Sequence, residues 1–303
     1  MPLAKIQDDV EIDYFYEKRD SNTPPVIFLN GSIFNYRQWL STYLPAFRDL
    51  TQDDYPYVLY DYQGIGKSSP KIEQFTLKAL ADELLGLLDF LKIKKAHLFG
   101  VSKGSMVGQV FTGLFPDRIV SLAGYGIVNL LGPKLEEEKN LFTERLEDLM
   151  TLDDILSEKI NSTNHKRIVR TIYTPAIFQK KYSELNLKEK LISWILERRT
   201  FSLLEGTPIR TLELLFRYYA QDIEKEIDFY ASCINSIGNK PVLLLNGTFD
   251  RVTPIELARD LAPRLTNAKL VEFAGFEHIS PNIKKKQGKA IMLEYSNFLS
   301  ELT

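Results

Sequence analysis

The chain reads as an α/β protein, with a mostly parallel central sheet covered by helices on both faces and a helical insertion in its middle. Three observations predict this. Short runs such as PPVIFLNG, YPYVLYD and KKAHLFGV are nearly continuously apolar and stop at polar loops, as strands buried on both faces do. One-sided helical segments stand between them. From Pro133 to Asp228, only Gly206 represents the chain's 16 glycines, while Leu, Glu, Lys, Arg, Tyr and Phe dominate, a composition suited to helices.

Taken in order, VEIDYFYEK (10–18) alternates in places and predicts a strand, and the next three runs end at Asn30, Asp61 and Val101. Before the last of these, FTLKALADELLGLLDFLKI sets Leu77, Leu80, Leu84, Leu87 and Leu88 at three- and four-residue steps, which predicts a helix with one buried face. SMVGQVFTGLF predicts another helix after Val101. In the insertion, Phe142, Leu146, Leu149 and Met150 share one helical face, and the segments around Trp194 and LELLFRYY (212–219) are similar. The strand–helix–strand rhythm returns with PVLLLNGTFD, ELARDLAPRL and AKLVEFAGFEH. The expected organisation is a core formed by 1–132 and 231–303, with the insertion at 133–230.

Composition bounds the function. The chain has 303 residues, 44% hydrophobic and 26% charged, enough for a substantial core. A formal charge of −2 supplies no net field to recruit nucleic acid or an anionic membrane, so the expected partner is a small molecule. The single cysteine, Cys233, cannot form an internal disulfide and reads as a small buried hydrophobe. No apolar stretch has the length of a membrane span, and the acidic N-terminal stretch lacks a signal-peptide core. A cytoplasmic protein is expected. No His, Cys or acidic residues stand at metal-ligand spacing, and GIGKSS fails the phosphate-loop pattern because Asp61 occupies the position that needs glycine. No cofactor is expected.

The stretch AHLFGVSKGSM places Ser102 between Gly100 and Gly104 where an apolar run ends. A serine on a sharp strand-to-helix turn is lifted out of the sheet, and its neighbours two positions away must lack bulk. A hydroxyl also needs a base to take its proton and donors to stabilise an oxyanion. Of three histidines, His97 lies inside the strand before Ser102 and reads as structural, and His165 in NSTNHKR reads as a surface residue of the insertion. His278 follows the last strand and reaches the same sheet edge as Ser102. Asp250 in NGTFDRVTP, past the preceding strand, is placed to orient that imidazole.

The order Ser102, Asp250, His278, with GVSKG, DYQGIGKSS, FLNGSIFNYRQW and the endings GTFDRVTP and FEHISP, resembles the α/β-hydrolase superfamily across the chain outside the insertion, where that family commonly carries a cap. The resemblance implies the α/β-hydrolase fold and a serine-dependent carboxylic ester hydrolase, with Ser102 as nucleophile, Asp250 as acid and His278 as base. It also implies an oxyanion hole made by the backbone N–H groups of Ser32 and Lys103. Asn30-Gly31 stands where the family usually has His-Gly, and Val101 where its turn often has His. A Ser nucleophile argues against the epoxide hydrolase and haloalkane dehalogenase branches. The same residues serve acyltransferases, thioesterases, lactonases and carbon–carbon bond hydrolases, or a ligand-binding receptor with weak catalysis. Asn30, Phe142, Met150, Trp194, Phe216 and Tyr219 are the expected substrate-binding residues, and the aromatic content of the insertion suggests an apolar or aromatic acyl group.

Overall fold

The computed structural model describes residues 2–19, 22–32, 34–70, 75–133, 135–178 and 180–302. The described strands are β1 (Leu3–Gln7), β2 (Val10–Glu17), β3 (Val26–Leu29), β4 (Tyr57–Tyr60), β5 (Ala96–Val101), β6 (Ile119–Tyr125), β7 (Val242–Gly247) and β8 (Ala268–Phe273). They form one sheet in the order β1-β2-β4-β3-β5-β6-β7-β8. Antiparallel pairing is confined to β1–β2 and β2–β4; every other neighbour is parallel.

Successive residues of a strand point to opposite faces, and here each face has its own helices. Ile27 and Leu29 of β3 pack with α2 (Leu77–Phe90) and α3 (Lys103–Leu114), whereas Val26 and Phe28 pack with α1 (Tyr43–Leu50) and α12 (Lys285–Ser300). The five leucines expected on one face of α2 are all buried, each contributing on the order of 2 kcal/mol. Thr76 caps that helix by accepting the Ala79 N–H at 3.0 Å.

Between β6 and β7 the chain forms α4 (Leu135–Met150), α5 (His165–Ile168), α6 (Thr174–Phe178), α7 (Leu187–Leu204), α8 (Ile209–Arg217) and α9 (Ile227–Ser236). A π-helical turn, Val169–Tyr173, joins α5 to α6, and another, Tyr218–Asp222, continues α8. Asn186 and Glu189 cap α7 reciprocally, each side chain accepting the other's backbone N–H at 2.9 Å. This helical segment is tied to loops at the C-terminal strand ends: the Asn35 N–H donates to Leu203 O at 2.9 Å and the Thr211 hydroxyl to Gly64 O at 3.0 Å.

Residue 230, the expected end of the insertion, falls inside α9, which packs against α3. A Cβ on Gly113 of α3 would stand 2.1 Å from the Cys233 carbonyl oxygen, so the two helix backbones touch at that glycine. Two elements follow, α10 (Ile255–Leu261) and α11 (Ser280–Ile283), before α12. Among the described residues no helix is long and apolar enough to cross a membrane.

Candidate active site

Ser102 stands at the junction of β5 and α3. Its N–H donates to Tyr125 O at 3.0 Å, so pairing with β6 continues to the serine itself. Its backbone has φ 55° and ψ −120°, a conformation that costs a non-glycine residue on the order of 1–3 kcal/mol and persists only where its surroundings enforce it. A Cβ on Gly100 would lie 2.3 Å from the Gly104 carbonyl, and one on Gly104 would lie 2.1 Å from Leu29 O. The glycine spacing seen in the sequence therefore lets α3 begin directly against the ends of β5 and β3.

That close approach brings the loop after β3 to the serine. Gly31 and Ser32 line the same cavity as Ser102, and a Cβ on Gly31 would lie 3.8 Å from Val101 O. Lys103 is the first residue of α3, where backbone N–H groups lack intrahelical acceptors. Its buried side chain runs elsewhere, with the ammonium 3.8 Å from the centre of the Tyr62 ring.

Asp250 and His278 meet at the ends of β7 and β8. His278 Nδ1 is 2.8 Å from Asp250 Oδ2, and the other carboxylate oxygen accepts the N–H groups of Val252 (2.9 Å) and Thr253 (2.8 Å). The Thr253 hydroxyl donates to Asp250 Oδ2 at 2.9 Å and lies 3.2 Å from His278 Nδ1. Asn246 holds this turn from β7, donating to Thr253 O at 2.9 Å and accepting the Ile127 N–H at 2.7 Å. The imidazole rests on Gly126 (φ 67°), where a Cβ would stand 3.0 Å from His278 Cε1. Since Gly126 follows the residue that accepts the Ser102 N–H, ring and serine flank the same strand end.

Ser102 and His278 both line a cavity of about 570 Å³. Among the described residues no hydrogen bond joins the Ser102 hydroxyl to the ring; such contacts are often long before a substrate binds. The remaining walls are mainly apolar. Phe34 stacks on Tyr173 with centroids 6.1 Å apart, and Val169, Ile172 and Leu196 come from the helical segment. Arg37 and Arg145 also line it, held by Glu205 at 3.5 Å and Asp148 at 3.1 Å.

Of the expected substrate-binding residues, Phe142 and Phe216 line this cavity. The lining differs from expectation at four positions, each for a physical reason. Asn30 is fully buried behind it, donating to Tyr60 O at 2.7 Å and accepting the Trp39 indole N–H at 2.6 Å. Met150 is the last residue of α4 and is exposed. Trp194 faces outward, with the Arg198 guanidinium 4.4 Å from its ring centre. Tyr219 lies behind Phe142, stacked at 4.3 Å, and packs helix to helix.

The other histidines are structural. His97 Nδ1 pairs with the Ser121 hydroxyl at 2.8 Å, and burial pushes its pKa down to about 4. His165, expected at the surface, is buried: its Nε2 is 2.9 Å from Glu197 O and its ring packs on Phe201. Burial also pushes the Cys233 thiol up to about 11, leaving it unreactive near neutrality. Thr253, Asn246 and Gly126 had no prior sequence signal as site residues, because Thr, Asn and Gly after strands are common turn residues.

This architecture, a mostly parallel sheet with a strained serine, a His-Asp pair and a cavity at its C-terminal edge, defines a class. The family model described as alpha/beta hydrolase fold matches residues 24–281, and the chain belongs to that family. It is 22% identical over 277 residues to the AB hydrolase superfamily protein YisY of Bacillus subtilis, covering 90% of this chain and 91% of the relative. Rhodomycin D methylesterase DnrP of Streptomyces peucetius is 22% identical over 293 residues, covering 93% of each chain. Among solved structures, MGS-M2, an alpha/beta hydrolase enzyme from a Medee basin deep-sea metagenome library, superimposes with TM-score 0.73 at 22% identity, covering 99% of this chain and 97% of that one. The enol-lactonase from Burkholderia xenovorans gives TM-score 0.71 at 19% identity, covering 99% and 100%. At these identities the structural likeness speaks for the fold.

Proposed function

We propose that this chain is a serine hydrolase that cleaves an ester-type bond of a small apolar or aromatic acyl substrate through an acyl-enzyme on Ser102. The observation that carries this reading is the meeting, at one cavity, of a serine held in a strained backbone conformation and an imidazole anchored on a buried carboxylate.

In this reading His278 takes the Ser102 proton as the hydroxyl attacks the carbonyl carbon, and Asp250 stabilises the imidazolium. The N–H groups of Ser32 and Lys103 receive the oxyanion, the latter at a helix N-terminus that favours negative charge. The imidazolium then protonates the leaving group; water, deprotonated by the same ring, attacks the acyl carbon, and the ring returns its proton to the Ser102 oxygen as the carbon–oxygen bond breaks and the acid leaves. The helical segment acts as a cap that excludes water from the developing charge. Its cavity walls, Phe142, Val169, Ile172, Leu196 and Phe216, favour an apolar acyl group.

The related methylesterase and the enol-lactonase neighbour make esters and lactones the first compounds to test. A series of p-nitrophenyl esters of increasing acyl length is expected to show kcat/KM rising from acetate to longer or aromatic acyl groups. Acetate turned over as fast as the rest would contradict the apolar-acyl assignment. Product passing to an added alcohol in preference to water would make the enzyme an acyltransferase.

A further inference from the structure

Five of the eleven large hydrophobic residues exposed among the described positions lie on one stretch of α7: Leu187, Leu191, Ile192, Trp194 and Ile195. Leu187, Leu191, Trp194 and Ile195 follow the i, i+4, i+7, i+8 spacing of a single helical face. The opposite face of the helix is accounted for: Ser193 and Glu197 are buried, and Leu196 and Thr200 line the cavity. The outer stripe stands in solvent to different degrees: Leu187 is 88% exposed and Leu191 58%, while Trp194 and Ile195 are partly covered. Scattered exposed apolar residues are normal on a protein surface, but a contiguous helical stripe marks a binding surface.

The charges around the stripe indicate what covers it. The whole chain carries −2, yet from Lys180 to Arg198 five cationic residues face three carboxylates. Lys188, Lys190 and Arg198 make no ion pair among the described residues, and the Arg198 guanidinium lies over the Trp194 ring. Tryptophan and branched apolar side chains flanked by long cationic ones suit a helix lying flat in a lipid headgroup layer: the rings and aliphatic groups sink in, and the Lys and Arg heads stay with the phosphates. A second copy of this chain packed antiparallel on α7 would instead bring these cations against one another.

We infer that the outer face of α7 docks on an anionic lipid surface, placing the wall of the cavity against the membrane. This inference needs no catalysis and stands or falls apart from the hydrolase reading.

The chain has two tryptophans, and Trp39 is fully buried, so a change in indole emission on adding lipid reports Trp194. With vesicles of phosphatidylcholine containing about 30% phosphatidylserine, the protein is expected to float with the lipid and its emission to shift to the blue. The double variant Leu191→Ser/Ile195→Ser should weaken vesicle binding roughly tenfold or more, since two buried apolar side chains are lost. Lys188→Gln/Lys190→Gln should weaken it at least about tenfold and flatten its salt dependence. Absence of flotation overturns the inference, as does flotation that survives the apolar pair. Self-association in sedimentation that the same pair abolishes also overturns it, and assigns the face to a second copy.

Discussion

Thr253 and His278 converge on one oxygen of Asp250: the hydroxyl donates to Oδ2 at 2.9 Å, the imidazole Nδ1 lies 2.8 Å from the same atom, and the two side chains are 3.2 Å apart. The carboxylate is therefore fixed in rotamer by the hydroxyl as well as by two backbone N–H groups. In the proposed mechanism Thr253 is a positioning residue, acting on His278 through Asp250.

Thr253→Val keeps the shape and removes the hydrogen bond. Loss of a neutral hydrogen bond of about 1 kcal/mol, made to the group that orients the base, should lower kcat roughly three- to tenfold. KM should stay nearly constant, because Thr253 is not among the residues lining the cavity. Thr253→Ser should restore kcat. A rise in KM with kcat unchanged, or a Ser variant as slow as Val, would assign the residue to packing instead.

Two buried groups away from the serine give the fold opposing pH dependences. His97 has its pKa lowered to about 4 by burial, so between that value and its ordinary range near 6.5 the unfolded chain binds the extra proton, and stability falls as pH falls. Asp61 is raised to about 7, mainly by burial, despite accepting the Tyr36 N–H at 2.6 Å; from about pH 4 to 7 the folded chain holds the extra proton, and stability falls as pH rises. Each effect is on the order of a few kcal/mol, and in the native protein they partly offset. Urea unfolding between pH 4.5 and 7 should show His97→Gln losing stability as pH rises and Asp61→Asn gaining it. Parallel pH profiles for the two variants would show that burial at these positions does not set them.

Most of the sheet was legible because β3, β4, β5 and β7 are buried on both faces and read as nearly continuous apolar runs. β6 was not read as a strand: it carries Ser121 and Gly124, and the buried serine is satisfied by pairing with His97 of β5. The lysine-rich stretch IKKKQGK carries no apolar signal, yet it opens α12, whose Ile291, Met292, Tyr295 and Phe298 cover one sheet face. Ser102, Asp250 and His278 were legible as candidates because each follows a strand end and carries a residue type that the proposed chemistry needs. The cavity walls could not. The insertion is apolar on several helix faces, so composition did not tell Phe142 and Phe216, which turn inward, from Met150 and Trp194, which turn out, or Tyr219, which packs between helices.

Ser102 is the attacking nucleophile of the proposed mechanism, and turnover by Ser102→Ala tests this most directly, using whichever ester the wild-type protein cleaves best. The variant should keep the thermal stability of the parent or gain slightly, since the strained position is no more crowded by Ala. Its kcat should fall by about four or more powers of ten, with no labelling by a fluorophosphonate. A fall of only a few-fold in a folded variant would contradict the account.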